Sequence, residues 1–525
     1  MSTSIKRSIY LFLAILIALS SCNDSLEDSL DLSEQKSETE TVTKDELLRL
    51  LSYAYSGANY GVLGELSSDN LIDNNSPHEN GSFFDLSAYD PIHDEMFAWG
   101  PIVTDSDYDS PSLIWEQFYR SISMCNHVLN GIEKLETEGK GNDVQGLKGE
   151  ALISRAYHHF ILVNIFSHAY KDANQTDLGI PYLTQTEIEL TVNENRGTVP
   201  GTYLKIENDL VAGLELIGNL NHAQEKYHFN KRSAHAFAAR FYLFKRNYEK
   251  VIEHADIVLG TNPSFRNWDG IEPSFETQVI WWTDINSNNN LLLLPTHSLL
   301  SRLFGTRYGC SRDARSGSLN ANGPSNTLSR CFQGKLWYRN SREYGVFFCG
   351  SAGEFFEYTN KINNMGYPYN VRVEFSSEET LLCRAEARIH LGQIDEAFED
   401  FLTFEEARNT YPYNPVNLTK EGIVNYFTNE NNLGVMYKHL NTQNMSSSWI
   451  VSSEKLPFIH CLLLYRRVET IHNGMRFFDI KRYGIEITHR IGQSTVDVLT
   501  WNDPRRAIQI PAEVISAKVV EIRIP

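Results

Sequence analysis

The sequence predicts a mainly helical protein in which paired helices form the scaffold, long irregular loops leave it, and a few short strands occur. Three observations carry this. Through residues 113–135, Trp115, Tyr119, Ile122, Asn126 and Leu129 recur at spacings of three and four and share one helical face. Two pairs of helical segments are joined by two residues each, Arg246-Asn247 and Gly392-Gln393, and connections this short fold such pairs into antiparallel hairpins. Residues 261–374 instead carry many Gly, Asn, Ser and aromatic residues with weak periodicity, the pattern of functional irregular segments.

The N-terminus comes first. Lys6 and Arg7 precede Ile9 to Leu19, eleven residues without a charge. That run is too short to span a bilayer and fits the apolar part of a signal peptide. Leu19-Ser20-Ser21-Cys22 closes it, the order of a lipobox, so residues 1–21 are expected to be cleaved and Cys22 to carry the lipid. Residues 22–43 are rich in Ser, Asp and Glu with few large apolar groups, the composition of a flexible acidic tether. No later stretch is apolar enough to span a membrane. Cleavage removes Lys6 and Arg7 and no acidic residue, which takes the net charge from −19 to −21. Such a charge argues against a nucleic-acid or anionic-membrane surface and is compatible with neutral ligands.

The body begins with a capping box, Thr43-Lys44-Asp45-Glu46, ahead of Leu47, Leu48, Leu50 and Leu51. Residues 57–110 read as extended loop. Long helices are expected at 113–135, 144–166 and 200–217, then a pair at 233–245 and 248–259. In the middle, short strands fit 278–283 and 344–349. A second pair follows at 378–391 and 394–408, then a helix at 456–470 and a short helix start after Ile508-Gln509-Ile510-Pro511. In the pairs, Ala238, Ala239, Ala255, Ala385, Ala387 and Ala397 alternate with large residues such as Phe241, Tyr248, Leu391 and Phe398. Small residues admit large ones from the partner, which makes these tetratricopeptide-like hairpins.

Of the seven cysteines, Cys125, Cys383 and Cys461 fall in helical patterns and read as buried thiols. Cys310, Cys331 and Cys349 lie in loop-rich sequence, where an oxidising compartment permits a disulfide between two of them. No Cys/His spacing indicates a metal, no motif indicates a cofactor, and no nucleophile elbow, HExxH or P-loop occurs. His158-His159 reads as a packed or surface pair. Catalytic carboxylates leave no short motif, so a hydrolase is not excluded by sequence.

Several blocks together resemble the SusD/RagB family from end to end. They are Trp115-x3-Tyr119-x2-Ile122-x3-Asn126; Glu150-Ala151 with Arg155-Ala156 and Leu162; Gly179-Ile180-Pro181 with Arg196-x-Thr198-Val199 and Tyr203-x2-Ile206-x2-Asp209-Leu210; and Ala234 to Leu243. A C-terminal block between Tyr465 and Gly484 adds Arg466, Arg467, Glu469, Gly474, Arg476, Asp479 and Arg482, with departures at Tyr465, Thr470, Asn473 and Ile480. These charges read as structural, Arg476 and Asp479 pairing or bracing loops.

The resemblance implies a SusD-like fold, with an N-terminal helical region over 44–260 packed against a C-terminal RagB/SusD region over 261–525. It implies no enzyme. The expected role is a cell-surface, outer-membrane lipoprotein that captures a glycan and sits as a lid on a SusC-like TonB-dependent β-barrel transporter. The same lid role for oligopeptides and a surface glycoside hydrolase or adhesin are the alternatives. Asp24, Glu27 and Asp28 stand where the family's lipoproteins carry a surface-export signal, and a solvated spacer accounts for them equally.

Sugar binding needs flat aromatic faces with Asn, Asp, Gln or Arg at their edges. The loop residues of these types are Tyr89, Trp99, Asp69 and Asn70 in the N-terminal half, and Trp268, Trp281, Trp282, Arg312, Trp337 and Tyr338 in the middle. Packing beneath a loop is the competing fate of each aromatic.

Overall fold

The computed structural model describes residues 42–516 except 78–82, 84, 105, 172–175, 187–195, 219, 221, 223, 269–274, 305–306, 310–323, 326–336, 340–345, 349, 409–415 and 430–450. Cys22, Cys310, Cys331, Cys349 and Arg312 therefore lie outside the described residues. Sixteen α-helices and nine strands occur among the described ones.

Helix α1 (Lys44–Ser52) opens where the capping box places it, with Thr43 Oγ1 accepting the Glu46 amide at 3.3 Å. The following stretch is not all loop: it holds α2 (Gly61–Leu66), strand β1 (Ile72–Asp73) and α3 (Ile92–Phe97). Helix α2 is buried on every side, and six residues are too few to display a period. Helix α4 (Pro111–Thr137) starts at Ser110, whose hydroxyl oxygen accepts the Leu113 amide at 3.1 Å. Helix α5 (Gln145–Phe166) is buried at every residue from Gly149 to Phe166, the mark of a central helix. His158 and His159 are a packed pair within it. Their Nδ1 atoms meet the carbonyls of Ser154 and Arg155 at 2.7 and 2.9 Å, and their Nε2 atoms accept the amides of Ser56 and Leu183.

Helix α6 (Val199–Leu216) packs along α5. Helices α7 (Lys231–Lys245) and α8 (Tyr248–Leu259) form the first hairpin, turned by Arg246 at φ 66°. In the middle lie α9 (Phe275–Trp282), β2 (Asn290–Thr296), α10 (Leu300–Leu303), β3 (Tyr308–Gly309), β4 (Trp337–Arg339), β5 (Val346–Phe348), β6 (Phe355–Asn360) and β7 (Met365–Ser376). The strand expected at 278–283 is thus helix α9; a short apolar run fits either state, and here tertiary contact decides. A Cβ on Gly350 or Gly353 would lie within 3 Å of Gln278 or Val279, so the turn at Gly350–Ala352 closes directly onto α9. The strand expected near 344–349 is present as β5, paired with β4.

Strands β2, β7 and β6 form an antiparallel sheet with β7 central. The second hairpin, α11 (Ser377–Leu391) and α12 (Ile394–Arg408), follows β7 directly and turns at Gly392, φ 81°. The two hairpins stack through α8 against α11. The chain continues through α13 (Lys420–Thr428), α14 (Leu456–Glu469), α15 (Met475–Tyr483), the β8 (Ile487–Ile491) and β9 (Thr495–Leu499) ribbon, and α16 (Ala512–Ser516). One buried apolar cluster draws residues from Tyr60, Phe160, Phe241, Leu293 and Tyr483, and a smaller one joins Leu47, Leu51, Cys125 and Leu147. Cys125, Cys383 and Cys461 are buried free thiols, as expected. Among the described residues no helix is long and apolar enough to cross a membrane.

The charged C-terminal block is structural. Asp479 accepts from Arg466 Nε at 2.9 Å and from Arg482 at 2.6 Å, and Arg482 also reaches Glu386 at 2.7 Å. Arg476 does not pair with Asp479 three residues on; it forks onto Asp69 of the N-terminal half at 2.8 and 3.0 Å. Lys481 Nζ donates to the carbonyls of Asn164, Ile165 and Ser167 at the end of α5.

Helix α2 meets the turn before α15 backbone to backbone: a Cβ on Gly64 would lie 2.5 Å from the Gly474 carbonyl oxygen and 2.6 Å from its Cα. Neither neighbour is a flexible side chain. Gly64→Ala is therefore expected to cost about 1–3 kcal/mol, read as a lower urea midpoint; a midpoint within error of the parent would show that α2 shifts freely.

Candidate functional site

Strand β7 changes environment along its length. Its C-terminal part is buried and carries Arg372 and Glu374, while its N-terminal part is exposed through Tyr367. The period of two puts Tyr367 and Tyr369 on one face, and the register sets Glu357 opposite Tyr367 and Phe355 opposite Tyr369. The rings of Phe355 and Tyr369 stack at 5.4 Å, and His297, just past β2, meets the Tyr367 ring edge-on at 6.2 Å. The result is an aromatic face on a hairpin whose second strand, β7, runs on into the core.

A polar margin flanks it. Arg302 on α10 forks onto Glu354 at 2.7 and 2.9 Å and donates to the Tyr89 hydroxyl at 3.1 Å. Tyr89 is 45% exposed and Tyr367 46%. Burial raises the pKa of the Tyr108 hydroxyl, with Tyr367 adding to the rise and Arg302 opposing it. Burial lowers the pKa of His297, so the imidazole is neutral near pH 7. Below this margin Asp109 joins the loop to the 297–299 segment, accepting from Ser298 Oγ at 2.6 Å and the Leu299 amide at 2.8 Å. Flat rings edged by a guanidinium, a carboxylate and phenol hydroxyls can stack and hydrogen-bond a hydroxyl-rich ligand.

Of the residues the sequence pointed to, Tyr89 lies on this surface. Trp99 is 5% exposed, stacks on His489 at 3.9 Å and donates Nε1–H to the Ser67 carbonyl at 3.0 Å. Asn70 accepts Arg467 Nε at 2.8 Å and Asp69 accepts Arg476, so both serve the C-terminal block. Trp268 and Trp282 are buried and pack edge-on with half-buried Trp281. The Arg266 guanidinium lies 4.2 Å from the Trp282 ring centre, and Trp281 Nε1 donates to the Asn267 carbonyl at 3.0 Å. These six are packed in the interior or against it. Trp337 and Tyr338 lie on β4, paired with Phe348 and Phe347, and Arg312 falls outside the described residues. Sequence reasoning missed Tyr367, Tyr369, Phe355, His297, Arg302 and Glu354. A signal existed: Phe355 to Tyr358 and Tyr367-x-Tyr369 flank an Asn-rich turn, Asn360 to Asn364, the pattern of a hairpin.

Known proteins share both sequence and shape. Residues 28–243 match the SusD-like family described as starch-binding and associating with the outer membrane. A SusD superfamily protein from Bacteroides vulgatus superposes with a TM-score of 0.60 at 17% identity, covering 90% of this chain and 95% of its own. A SusD-like carbohydrate-binding protein from the same organism gives 0.57 at 16%, with 91% and 97% covered. A laminarin-binding SusD-like protein gives 0.51 at 14%, with 90% and 97% covered. No curated protein matches the chain. Residues 28–243 are thus similar to the SusD-like family, and the chain shares the fold of SusD superfamily structures along nine-tenths of its length.

Proposed function

We propose that this protein captures an oligosaccharide at the cell surface and passes it to a SusC-like TonB-dependent barrel, held to the outer membrane by a lipid on Cys22. The observation that carries this reading is the hairpin face, where exposed Tyr367 stands beside partly buried Tyr369 and Phe355, together with exposed Tyr89 held by Arg302, which forks onto Glu354 at the start of the hairpin. The carbohydrate- and laminarin-binding proteins of the same fold support the ligand class. The lipobox and the acidic stretch behind it support the anchor. The protein binds and does not cleave its cargo.

Calorimetry and affinity gels with a panel of plant and host polysaccharides, laminarin included, test the reading. Tyr367→Ala is expected to weaken the bound glycan about 10–30-fold, the effect of removing a central aromatic contact, and its exposed position leaves the fold intact. Unchanged affinity removes the hairpin face from the site. Binding of a peptide mixture with no glycan bound moves the cargo to oligopeptides, and hydrolysis products overturn the non-catalytic reading. Mass spectrometry of membrane-extracted protein should find acylated Cys22 as its first residue; an unacylated mature chain removes the anchor.

A further inference from the structure

Outside the hairpin face, a second cluster joins three parts of the N-terminal half. Glu150 lies in the first third of α5 with its side chain fully buried. His222 and His228 come from the irregular segment between α6 and α7, their side chains 8% and 14% exposed. His222 Nε2 stands 2.7 Å from one carboxylate oxygen of Glu150 and His228 Nδ1 stands 2.8 Å from the other. The imidazoles stack face to face at 3.6 Å, 3° from parallel. The Tyr55 hydroxyl donates to Glu150 Oε1 at 2.7 Å and accepts the Phe229 amide at the same distance.

We propose that Glu150, His222 and His228 form a site for one divalent transition-metal ion of the zinc class. The three donor atoms lie within 4.8 Å of one another, and two imidazoles with one carboxylate are a donor set that zinc takes, leaving a fourth position for water. Calcium and magnesium prefer oxygen throughout. Metal–ligand bonds of about 2.0–2.1 Å around a tetrahedral ion separate donors by roughly 3.3 Å. Loading must therefore open the present contacts by about half an ångström and turn the two parallel rings until the in-plane lone pairs of both nitrogens meet at the ion. The described residues around the two histidines can supply that movement, since the regular structure among them is one turn of 3₁₀ helix, Glu225–Tyr227, while Glu150 stays fixed on α5. Tyr55 orients the carboxylate from outside the ligand set, the usual place for such a partner.

The ion staples the 222–228 segment to α5 and so fixes Tyr227, whose hydroxyl lies within electrostatic reach of Tyr369 on the hairpin face. The site stands on the Glu/His/His geometry alone and does not depend on the ligand reading above.

The test uses the full mature chain, stripped with chelator and reloaded with Zn²⁺ alone. Elemental analysis after desalting should find one zinc per chain, Co²⁺ in its place should give the absorption of a tetrahedral site, and zinc should raise the melting temperature. His222→Ala/His228→Ala should lose all three effects, and His222→Gln, which keeps the shape and a hydrogen-bond donor, should bind zinc at least about tenfold more weakly. Far-UV circular dichroism confirms that each variant is folded; if the double variant is not, His222→Gln carries the test. Equal zinc binding in wild type and folded variants, or none in the wild type, overturns the proposal and leaves a hydrogen-bonded cluster.

Discussion

Replacing Arg240 with methionine is expected to lower the free energy of unfolding by about 3–5 kcal/mol, the cost of removing one partner from a buried ionic group. Arg240 on α7 is 2% exposed. Its guanidinium holds Glu379 through Nε at 2.8 Å and through a terminal nitrogen at 2.5 Å, and binds both the carboxylate and the carbonyl of Glu374. Methionine fills much of the space and satisfies none of these oxygens. Glu374 would keep Arg372 at 2.6 Å and the Tyr60 hydroxyl at 3.0 Å, while Glu379 would lose the cation altogether. Urea denaturation should show a lower midpoint with the slope unchanged. A loss under about 1 kcal/mol would mean that Arg372 alone suffices.

The same variant has a pH signature. Burial opposes ionisation of Glu374, but Arg372 and Arg240 more than offset it and hold the folded carboxyl below its usual range. A depressed carboxylate contributes stability that is present above its unfolded pKa of about 4.3 and is lost as pH falls through the folded value. Acid unfolding of Arg240→Met should therefore lose part of that limb.

Asp109 acts in the opposite direction and gives the second large effect. Its carboxyl is 2% exposed. Burial pushes it up to about 7, against hydrogen bonds from Ser298 and Leu299 and with a small addition from Asp90. A raised carboxyl contributes stability that is complete below the unfolded pKa of about 3.9 and lost as pH rises through about 7. At about 1.4 kcal/mol for each tenfold change in proton affinity, the loss between pH 4 and 8 is on the order of 4 kcal/mol. Asp109→Asn should flatten that slope in urea titrations across this range. Asparagine tolerates the left-handed backbone found here, φ 57°, and can accept the Leu299 amide while donating to Ser298. An equal slope in the variant would assign the pH dependence to another group.

The long helices were legible because each shows its period or its cap. Helix α4 announces itself by the 3–4 spacing from Trp115 to Leu129, and both hairpins by their two-residue turns. The family blocks were legible for a different reason: their charged residues must find partners, and Arg466, Arg476 and Arg482 find them in Asp479, Asp69 and Glu386. The inner half of β7 was illegible because Arg372 and Glu374 look like surface residues and are buried; their partners, Arg240 and Tyr60, lie over a hundred residues away.

The candidate face was mostly missed through size. Tryptophans attract attention as stacking platforms, yet Trp99, Trp268 and Trp282 pack inside, because a large apolar ring gains most by leaving water. Tyrosine keeps one end wet. The exposed rings of the candidate face, Tyr89 and Tyr367, are of that kind, and Tyr367 stands on a regular strand rather than in a loop.

Lys481 gives the fold an order in time. Its Nζ closes carbonyls at the end of α5 from as far as 317 positions away along the chain. In a polypeptide made N-terminus first, those oxygens emerge long before their donor and must keep water until it arrives. Drying of the central helix end is thus scheduled by the tail of the molecule, and synthesis halted short of residue 481 leaves that end wet.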